Sequence, residues 1–326
     1  MIQSIGIRQG KLLRNIITNM KIAFINKYQN KVSRGAETFI LELSKRLSKK
    51  HTIDILDKLD LNKILKNKYD ILIPTNGRLQ SLIVRLISFF TKSKVVISGQ
   101  SGPGLDDRIN TYSFPDAFVA LSSFALNRAR KNNPFIKLAL IPNGVDTKKF
   151  APRIKKVEGS QKTVLAVGAF TKEKGHHLTI KAVSEIDNIK LIIVGGGGYK
   201  KAEIEALAKK LIPGRFEILS LSHEKMPEIY KKADLFVFPT VPWESFGIVL
   251  LEAMASNLPV VTTDDPIRRE IVSDAGLFVD PNDIQKYKEA IIKALSIKWS
   301  DKPRRQAEKF DWDLIAQKYE ELFNNL

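Results

Sequence analysis

Two glutamates with seven residues between them, Glu244 and Glu252, are the most chemically pointed feature of the chain. They lie in the segment 239–264, PTVPWESFGIVLLEAMASNLPVVTTD. An apolar run ends at Phe238, an irregular loop carries Glu244, and a helical stretch opens near Gly247. The first backbone N–H groups of a helix have no partner within it, and the helix dipole adds positive potential there. Ser245, Phe246, Gly247 and Ile248 therefore form a candidate anion site. Glu252 falls inside the helix beside Leu250, Leu251, Ala253 and Met254. A carboxylate among apolar neighbours loses hydration and needs strong hydrogen-bond partners. A diol such as a ribose supplies two. The plain alternative is a loop glutamate plus a helix glutamate paired to a lysine.

Three further segments are glycine-marked entries to helices. In 164–175, VLAVGAFTKEKG, a strand-like run ends at Gly168, and Lys174 precedes a helix start at Gly175. A cation at that place opposes the helix dipole by ~0.3–1 kcal/mol. An anion bound between the ammonium and the helix start removes the conflict. VGGGG at 194–198 sets Gly195 and Gly197 in a tight strand-to-helix turn. It lacks the G-x-G-x-x-G register and the following acid of a dinucleotide site. SRGAE at 33–37 opens the first long helix, where Gly35 lets backbone approach a ligand closely.

Taken together, these residues resemble the retaining family of GT-B glycosyltransferases known as family four. ESFGIVLLEAMASNLPVV is similar to the family's E-x7-E element. There the first Glu contacts the transferred sugar, the following Phe-Gly backbone holds the donor diphosphate, and the second Glu binds the ribose. The resemblance implies sugar contact for Glu244, diphosphate contact for Ser245, Phe246 and Gly247, and ribose contact for Glu252. VLAVGAFTKEKG resembles the V-G-R-x-x-x-x-K-G element, whose Arg and Lys clamp the diphosphate; Lys174 matches, and Ala169 replaces the Arg. SRGAE resembles the G-G-A-E turn that reaches the phosphate across the cleft. Gly35 matches, while Arg34 replaces the first glycine and is the candidate for part of the cation lost at Ala169. Gly168, Gly195 and Gly197 are then the nucleotide-proximal glycines.

One departure touches the acceptor side. Many relatives carry a histidine after the fourth strand, where Gln100 stands here, after Gly99 in the loop GQSGPG. That position offers backbone and amide donors to the sugar and no general base. NGVD at 143–146 and DAFVALS at 116–122 also match the family's spacing and read as a glycine turn and a buried strand. The D-W-D triplet at 311–313 has a metal-diphosphate spacing but reads as Asp311 capping the last helix. The histidines, at 51, 176, 177 and 223, fall at turns or helix starts and compose no metal site or catalytic triad.

The elements that must position these residues alternate along the whole chain, which has 326 residues, enough for two domains. Strands are expected at 21–26, 52–56, 70–73, 94–98, 117–121 and 137–141, with helices at 36–49 and 79–91 among them. A polar stretch at 146–161 reads as a linker. The pattern restarts with strands at 163–167, 190–194, 216–219, 235–238, 259–262 and 277–279, and helices at 200–211, 248–255, 284–296 and 312–323. The expected fold is α/β, of GT-B type: two Rossmann-like, doubly wound parallel-sheet domains facing a cleft, with the C-terminal helix packing back toward the first. The boundaries are a leader at 1–19, an acceptor-side domain at 20–150, a nucleotide-sugar domain at 151–310 and the last helix at 311–326. Met20 directly precedes the first strand, so the leader reads as disordered or as lying before the true start.

Charge is uneven. Residues 1–150 carry 26 Lys and Arg against 10 Asp and Glu, whereas residues 151–326 carry 27 against 25. A first half with that excess is expected to attract something anionic, such as lipid headgroups, an acidic saccharide or nucleic acid; the plain alternative is a basic proteome or simple solubility. The absence of cysteine excludes disulfides, thiolate metal sites and thiol nucleophiles. No apolar run reaches the ~18–20 residues of a membrane span. The nearest, 79–90, is broken by Arg85; its simpler reading is a core helix, and the other is a membrane-contact helix.

The resemblance implies a retaining, metal-independent transferase with no cofactor, using a UDP- or GDP-linked sugar and a saccharide or lipid-linked acceptor in glycan or glycolipid synthesis. Its expected place is the cytoplasm, with peripheral contact at the inner, anionic face of the cell membrane. A nucleotide-sugar epimerase fits less well, because that family lacks E-x7-E in this form. The alternative of another class is an inactive GT-B binding protein at an anionic membrane; nucleic acid is not expected, since no aromatic-basic platform is present.

Overall fold

A computed structural model describes residues 19–29, 35–102, 104–152, 161–240 and 244–326. Arg34, the leader up to residue 18 and residues 153–160 of the expected linker lie outside the described residues.

The first half forms strands β1 (Lys21–Ile25), β2 (Thr52–Leu56), β3 (Ile71–Pro74), β4 (Lys94–Ser98), β5 (Ala117–Ala120) and β6 (Leu138–Leu140). Helices α1 (Gly35–Leu47), α2 (Leu61–Asn67), α3 (Arg78–Thr91), α4 (Leu105–Tyr112) and α5 (Ser123–Asn132) connect them. The second half forms β7 (Lys162–Val167), β8 (Ile189–Val194), β9 (Phe216–Leu219), β10 (Leu235–Phe238), β11 (Val260–Thr263) and β12 (Gly276–Val279). Its helices are α6 (His176–Ser184), α7 (Lys201–Leu211), α8 (Met226–Lys232), α9 (Ile248–Ala255), α10 (Pro266–Val272), α11 (Ile284–Ser296), α12 (Lys302–Glu308) and α13 (Trp312–Asn324). Each expected strand is present, with ends moved by at most one residue.

The strands of both sheets pair in parallel, with orders β2-β1-β3-β4-β5-β6 and β9-β8-β7-β10-β11-β12. The second is the Rossmann order. Parallel strands require crossover helices, which cover both faces and let the strands be apolar on each side. The order reverses beside β1 and beside β7, so crevices open at the carboxyl ends of β1/β3 and β7/β10. The two chain-halves are thus GT-B in architecture.

The last helix belongs to the first sheet. Trp312, Ile315, Tyr319 and Phe323 of α13 pack with Phe24, Phe39 and Leu43. Phe39 lies 5.8 Å from Tyr319 and 6.3 Å from Trp312 between ring centroids. Asp311 caps α13 by accepting from the Asp313 N–H at 2.8 Å and takes the Thr147 hydroxyl. Beside it the chain crosses between sheets: Val145 N–H donates to the Phe310 carbonyl at 2.9 Å, and Trp312 N–H to the Val145 carbonyl at 3.1 Å.

Two expectations need correction. The start of the expected linker is packed: Asp146 accepts from the N–H groups of Lys148 and Lys149, and Phe150 is buried. A buried aromatic and an internally bonded turn fix this crossing. Secondly, α3 is not a core helix. It buries Ser81, Val84 and Ser88, and turns Leu79, Leu86, Phe89 and Phe90 to solvent.

The NGVD turn has a steric reason for its glycine. A Cβ on Gly144 would lie 2.6 Å from Cδ2 of Trp312 and 2.9 Å from the Phe310 carbonyl oxygen. Gly144→Ala is therefore expected to cost about 1–3 kcal/mol by overpacking. Gly104→Ala, where a Cβ meets nothing within 4 Å, is the comparison that should stay near wild type in chemical denaturation.

Candidate functional site

The second switch point gathers most of the residues singled out in the sequence. Gly247 precedes α9 with φ +91°, and a Cβ there would lie 2.9 Å from the Phe238 ring, so only glycine fits. The helix has no side-chain cap, which leaves its first N–H groups available. From the neighbouring strand exit, the Lys174 ammonium forms an ion pair with the Glu244 carboxylate. Both side chains are roughly three-quarters buried, with 25% and 21% exposure. The Lys174 stem packs on Gly168, and Gly195 lies so close to the Gly168 carbonyl that a Cβ would approach it to 2.4 Å. Gly197 sits at the edge of this group, its carbonyl accepting from Phe170 N–H at 3.0 Å.

From the first half, a Cβ on Gly35 would lie 3.8 Å from Cδ1 of Ile248, so the starts of α1 and α9 face each other. Two helix N-termini and one ammonium thus border one region. An anion there would lie near the first N–H groups of both helices.

Glu252 is buried at 4% exposure on α9, one turn beyond its start. Its partners are not left to a ligand, contrary to the reading from sequence. The Tyr230 hydroxyl donates to Oε2 at 2.8 Å, and His223 Nε2 lies 2.8 Å from Oε1. The Lys149 ammonium lies 3.1 Å from His223 Nδ1. An ammonium can only donate, so Nδ1 accepts and the ring proton sits on Nε2, toward Glu252. Burial first, and then the Glu252 charge, raise the Tyr230 phenol well above its ordinary value, which keeps it a donor. Each carboxylate oxygen retains a second acceptor direction. The internal bonds fix the carboxylate plane.

Arg268 escaped the sequence reading. It is fully buried, yet its guanidinium donates to the Glu244 carbonyl at 3.2 Å, to Thr240 Oγ1 at 2.7 Å and to Asp265 Oδ1 at 3.3 Å. Asp265 also caps α10 through the N–H groups of Ile267 and Arg268. Lys174 and Arg268 lie 5.7 Å and 6.0 Å from the Phe238 ring centroid. Its only local signal is the D-P helix start at 265–266. Nothing near it in sequence reveals the partners at Thr240 and Glu244.

On the first-domain side, Gln100 spends its amide internally. It exchanges two hydrogen bonds with Asn143, at 2.9 and 3.0 Å, and also donates to Ser98 Oγ. Gly99 donates its N–H to the Val119 carbonyl. Behind it lies Asp107, whose Oδ2 is 3.1 Å from where a Gly99 Cβ would stand. Burial, and next the Asp106 charge, push the Asp107 carboxyl up to about 7, with Arg128 opposing. Burial also pulls His176 down to about 4, so it stays neutral while its Nε2 lies 3.2 Å from the Gly168 carbonyl. Among the described residues no group of three His, Asp or Glu is placed to hold a metal ion.

Comparison with known proteins bears on the family and the fold. The sequence profile of glycosyl transferases group 1 matches residues 147–310. An O-antigen chain mannosyltransferase of Salmonella typhimurium is 32% identical over 158 residues, 48% of this chain and 43% of that protein. A lipopolysaccharide core biosynthesis mannosyltransferase of Rhizobium meliloti is 29% identical over 189 residues, 52% of each chain. The chain spans about half the length of these curated relatives. Among solved structures, Anabaena HepE in complex with UDP and glucose superposes with a TM-score of 0.79 at 17% identity, covering 94% of this chain and all of that one. Sucrose-phosphate synthase from Thermosynechococcus elongatus gives a TM-score of 0.77 at 18% identity, over 94% and 99% of the two chains.

Two outcomes follow from the buried charges. Replacing Arg268 by Met leaves the Asp265 carboxylate without its guanidinium, and about 3–5 kcal/mol of stability should be lost in urea denaturation. The Asp107 carboxyl has a folded value above its ordinary 3.8. Between that value and about 7 the folded chain holds a proton that the unfolded chain has released. Its contribution to stability therefore falls as the pH rises through this window. Asp107→Asn should flatten the loss of Tm between pH 4 and 7, with the larger gain over wild type at the upper end.

Proposed function

The chain belongs to the glycosyl transferases group 1 family, and on that premise we propose that it moves a sugar from a nucleotide-diphosphate donor, UDP- or GDP-linked, to a saccharide or lipid-linked acceptor, with retention and without a metal. The observation that carries this reading is the Lys174–Glu244 ion pair at the uncapped start of α9. Departure of a nucleoside diphosphate needs positive potential on its oxygens more than it needs a strong base. Lys174 has three N–H donors and can hold phosphate while keeping Glu244. The N–H groups of Ser245, Phe246 and Gly247 would share the diphosphate, with Gly35 closing from the first domain and Arg34, its sequence neighbour, the candidate for a further cation.

Glu252 would take the ribose hydroxyls on its remaining acceptor directions, and Gly168, Gly195 and Gly197 would admit the nucleotide closely. Glu244 would orient the transferred sugar. Arg268, behind the Glu244 carbonyl, would add positive potential on the side where Ala169 removes a cation. The acceptor would enter past Gly99 and Gln100. Its hydroxyl attacks the anomeric carbon from the face that the diphosphate leaves. The new C–O bond forms as the C–O bond to phosphate breaks, and the hydroxyl proton passes to the departing phosphate oxygen. Retention follows from that geometry.

The relatives named for O-antigen and lipopolysaccharide core mannosyl transfer favour a glycan or glycolipid product. The HepE structure with UDP and glucose supports a nucleotide-linked donor. With a first half of net charge +16 (26 Lys and Arg against 10 acids), an anionic or lipid-linked acceptor at the inner membrane face fits best. No helix among the described residues is long and apolar enough to cross a membrane.

Hydrolysis of UDP- and GDP-sugars without acceptor, with and without EDTA, tests the reading. Turnover should survive EDTA, and Lys174→Ala should lower kcat by about a hundredfold or more. Glu252→Ala should act mainly on KM for the donor. Turnover abolished by EDTA overturns metal independence. No donor binding by the wild-type chain favours the inactive membrane-binding protein instead.

A further inference from the structure

Helix α3 is built inside out. It packs on the protein with Ser81, Val84 and Ser88, while Leu79, Leu86, Phe89 and Phe90 are 62–84% exposed and Leu82 is 41% exposed. Its anchors to the fold are polar. Arg78 N–H and Ser81 Oγ both bond Asn110 Oδ1, at 3.0 and 3.1 Å, and Arg85 pairs with Asp116 at 2.8 Å. The outward residues recur at helical spacing over three turns, so they form one stripe rather than scattered exposures. On the adjoining α2, Leu61 and Leu65 are also exposed. Between Leu61 and Lys94 the chain carries seven Lys and Arg against a single acid, Asp70; Arg78, Arg85 and Lys94 pair with Asp106 and Asp116, and Lys63, Lys66, Lys68 and Lys92 are exposed.

We propose that this face of α2 and α3 lies on an anionic bilayer, with the α3 leucines and phenylalanines in the acyl boundary and the surrounding lysines at the headgroups. The proposal rests on the membrane-surface part of the function above and gives it a location. An apolar stripe rimmed by cations is the pattern of a helix lying in a membrane interface. A second copy of the chain fits the same face poorly. Across a two-fold axis each patch meets its own image, so the lysines would face lysines. A bilayer supplies both the apolar layer and the opposite charge. The stripe also accounts for an arrangement that is otherwise costly, with serines placed inward where leucines would stabilise the core.

The full chain is tested by co-sedimentation with vesicles of phosphatidylcholine alone and of phosphatidylcholine mixed with phosphatidylglycerol. Binding should favour the anionic vesicles by about tenfold or more and weaken with salt. The triple substitution Leu86→Gln, Phe89→Gln, Phe90→Gln should reduce it by about tenfold or more, with thermal unfolding and donor-sugar hydrolysis unchanged. Phe90→Trp gives a second readout, an indole emission that shifts to the blue on anionic vesicles alone. Wild-type protein that ignores both vesicles overturns the membrane reading entirely. Wild type and triple variant binding equally, or an emission of the Phe90→Trp variant that does not move, overturns the assignment to α3 while leaving peripheral binding standing. A wild-type dimer that the triple variant converts to monomer assigns the stripe to a second copy and overturns the proposal. Hydrolysis of the donor sugar is read separately, so failure of the transferase reading leaves this result interpretable.

Discussion

A fully buried guanidinium must be paired and hydrogen-bonded, and satisfying Arg268 fixes the wall on which the candidate site stands. Taking such a charge out of water costs several kcal/mol, recovered only when its partners are well placed. Here they are Asp265 on its own helix, Thr240 just past β10, and the carbonyl of Glu244. Thr240 and Glu244 both lie in the loop between β10 and α9, so Arg268 holds that loop at two points. Lys174 then meets the Glu244 carboxylate from the front. The position of that carboxylate is thus set by two cations on either side of its backbone, and not by any helix or strand at Glu244 itself.

The other acid of the pair is held by a different logic. Glu252 keeps its orientation through Tyr230 and His223, and His223 is in turn held by Lys149 and packed 5.6 Å from the Phe150 ring. Lys149 and Phe150 belong to the segment where the chain passes from one sheet to the other. Arg304 binds the same segment, donating to the carbonyls of Thr147 and Phe150 and to Ala255 at the end of α9. Helix α9 is therefore fixed at its start by the Glu244 loop and at its end by the crossing. A short helix, apolar on nearly every side, gains its register from those two polar clamps, because buried hydrophobic contacts alone are non-directional.

How far the sequence reveals this depends on the range of each interaction. The strands are legible because sheets covered on both faces demand continuous apolar runs, as in LFVF at β10 and KLIIV within β8. Lys174 and Glu244 are each legible as residues at a strand exit, but their meeting depends on β7 lying beside β10, which strand order alone decides. Tyr230 and His223 carry no local mark, since Glu252 lies 22 and 29 residues away, and Arg268 shows only its Asp265 neighbour, Thr240 lying 28 residues back in the chain. For α3 the spacing of leucines is plain in the sequence, yet its direction is not. A stripe of Leu and Phe normally faces a core, and here Ser81 and Ser88 take that place because Asn110 and the Arg85 carbonyl offer them hydrogen bonds.

The contacts joining the two sheets differ in strength from one end of the cleft to the other. At one end the chain crosses twice, at 144–150 and at 308–312, and the crossings are bonded side by side through Val145, Phe310 and Trp312. Trp312 and Phe150 are buried there, and Arg46 ties Asp146 and Asp313 together. Toward the other end, Glu270 of α10 reaches the start of α5, accepting from the Ser123 N–H at 2.8 Å and from its hydroxyl at 3.2 Å. That contact is exposed, and a carboxylate at an exposed helix start is worth only ~0.3–1 kcal/mol. Burying two aromatic side chains at the crossing is worth several times as much, at about 1.5–3 kcal/mol each. The exposed Glu270 contact is therefore weaker than the crossing. The same crossing carries Lys149, so the segment that joins the halves is also the one that orients Glu252.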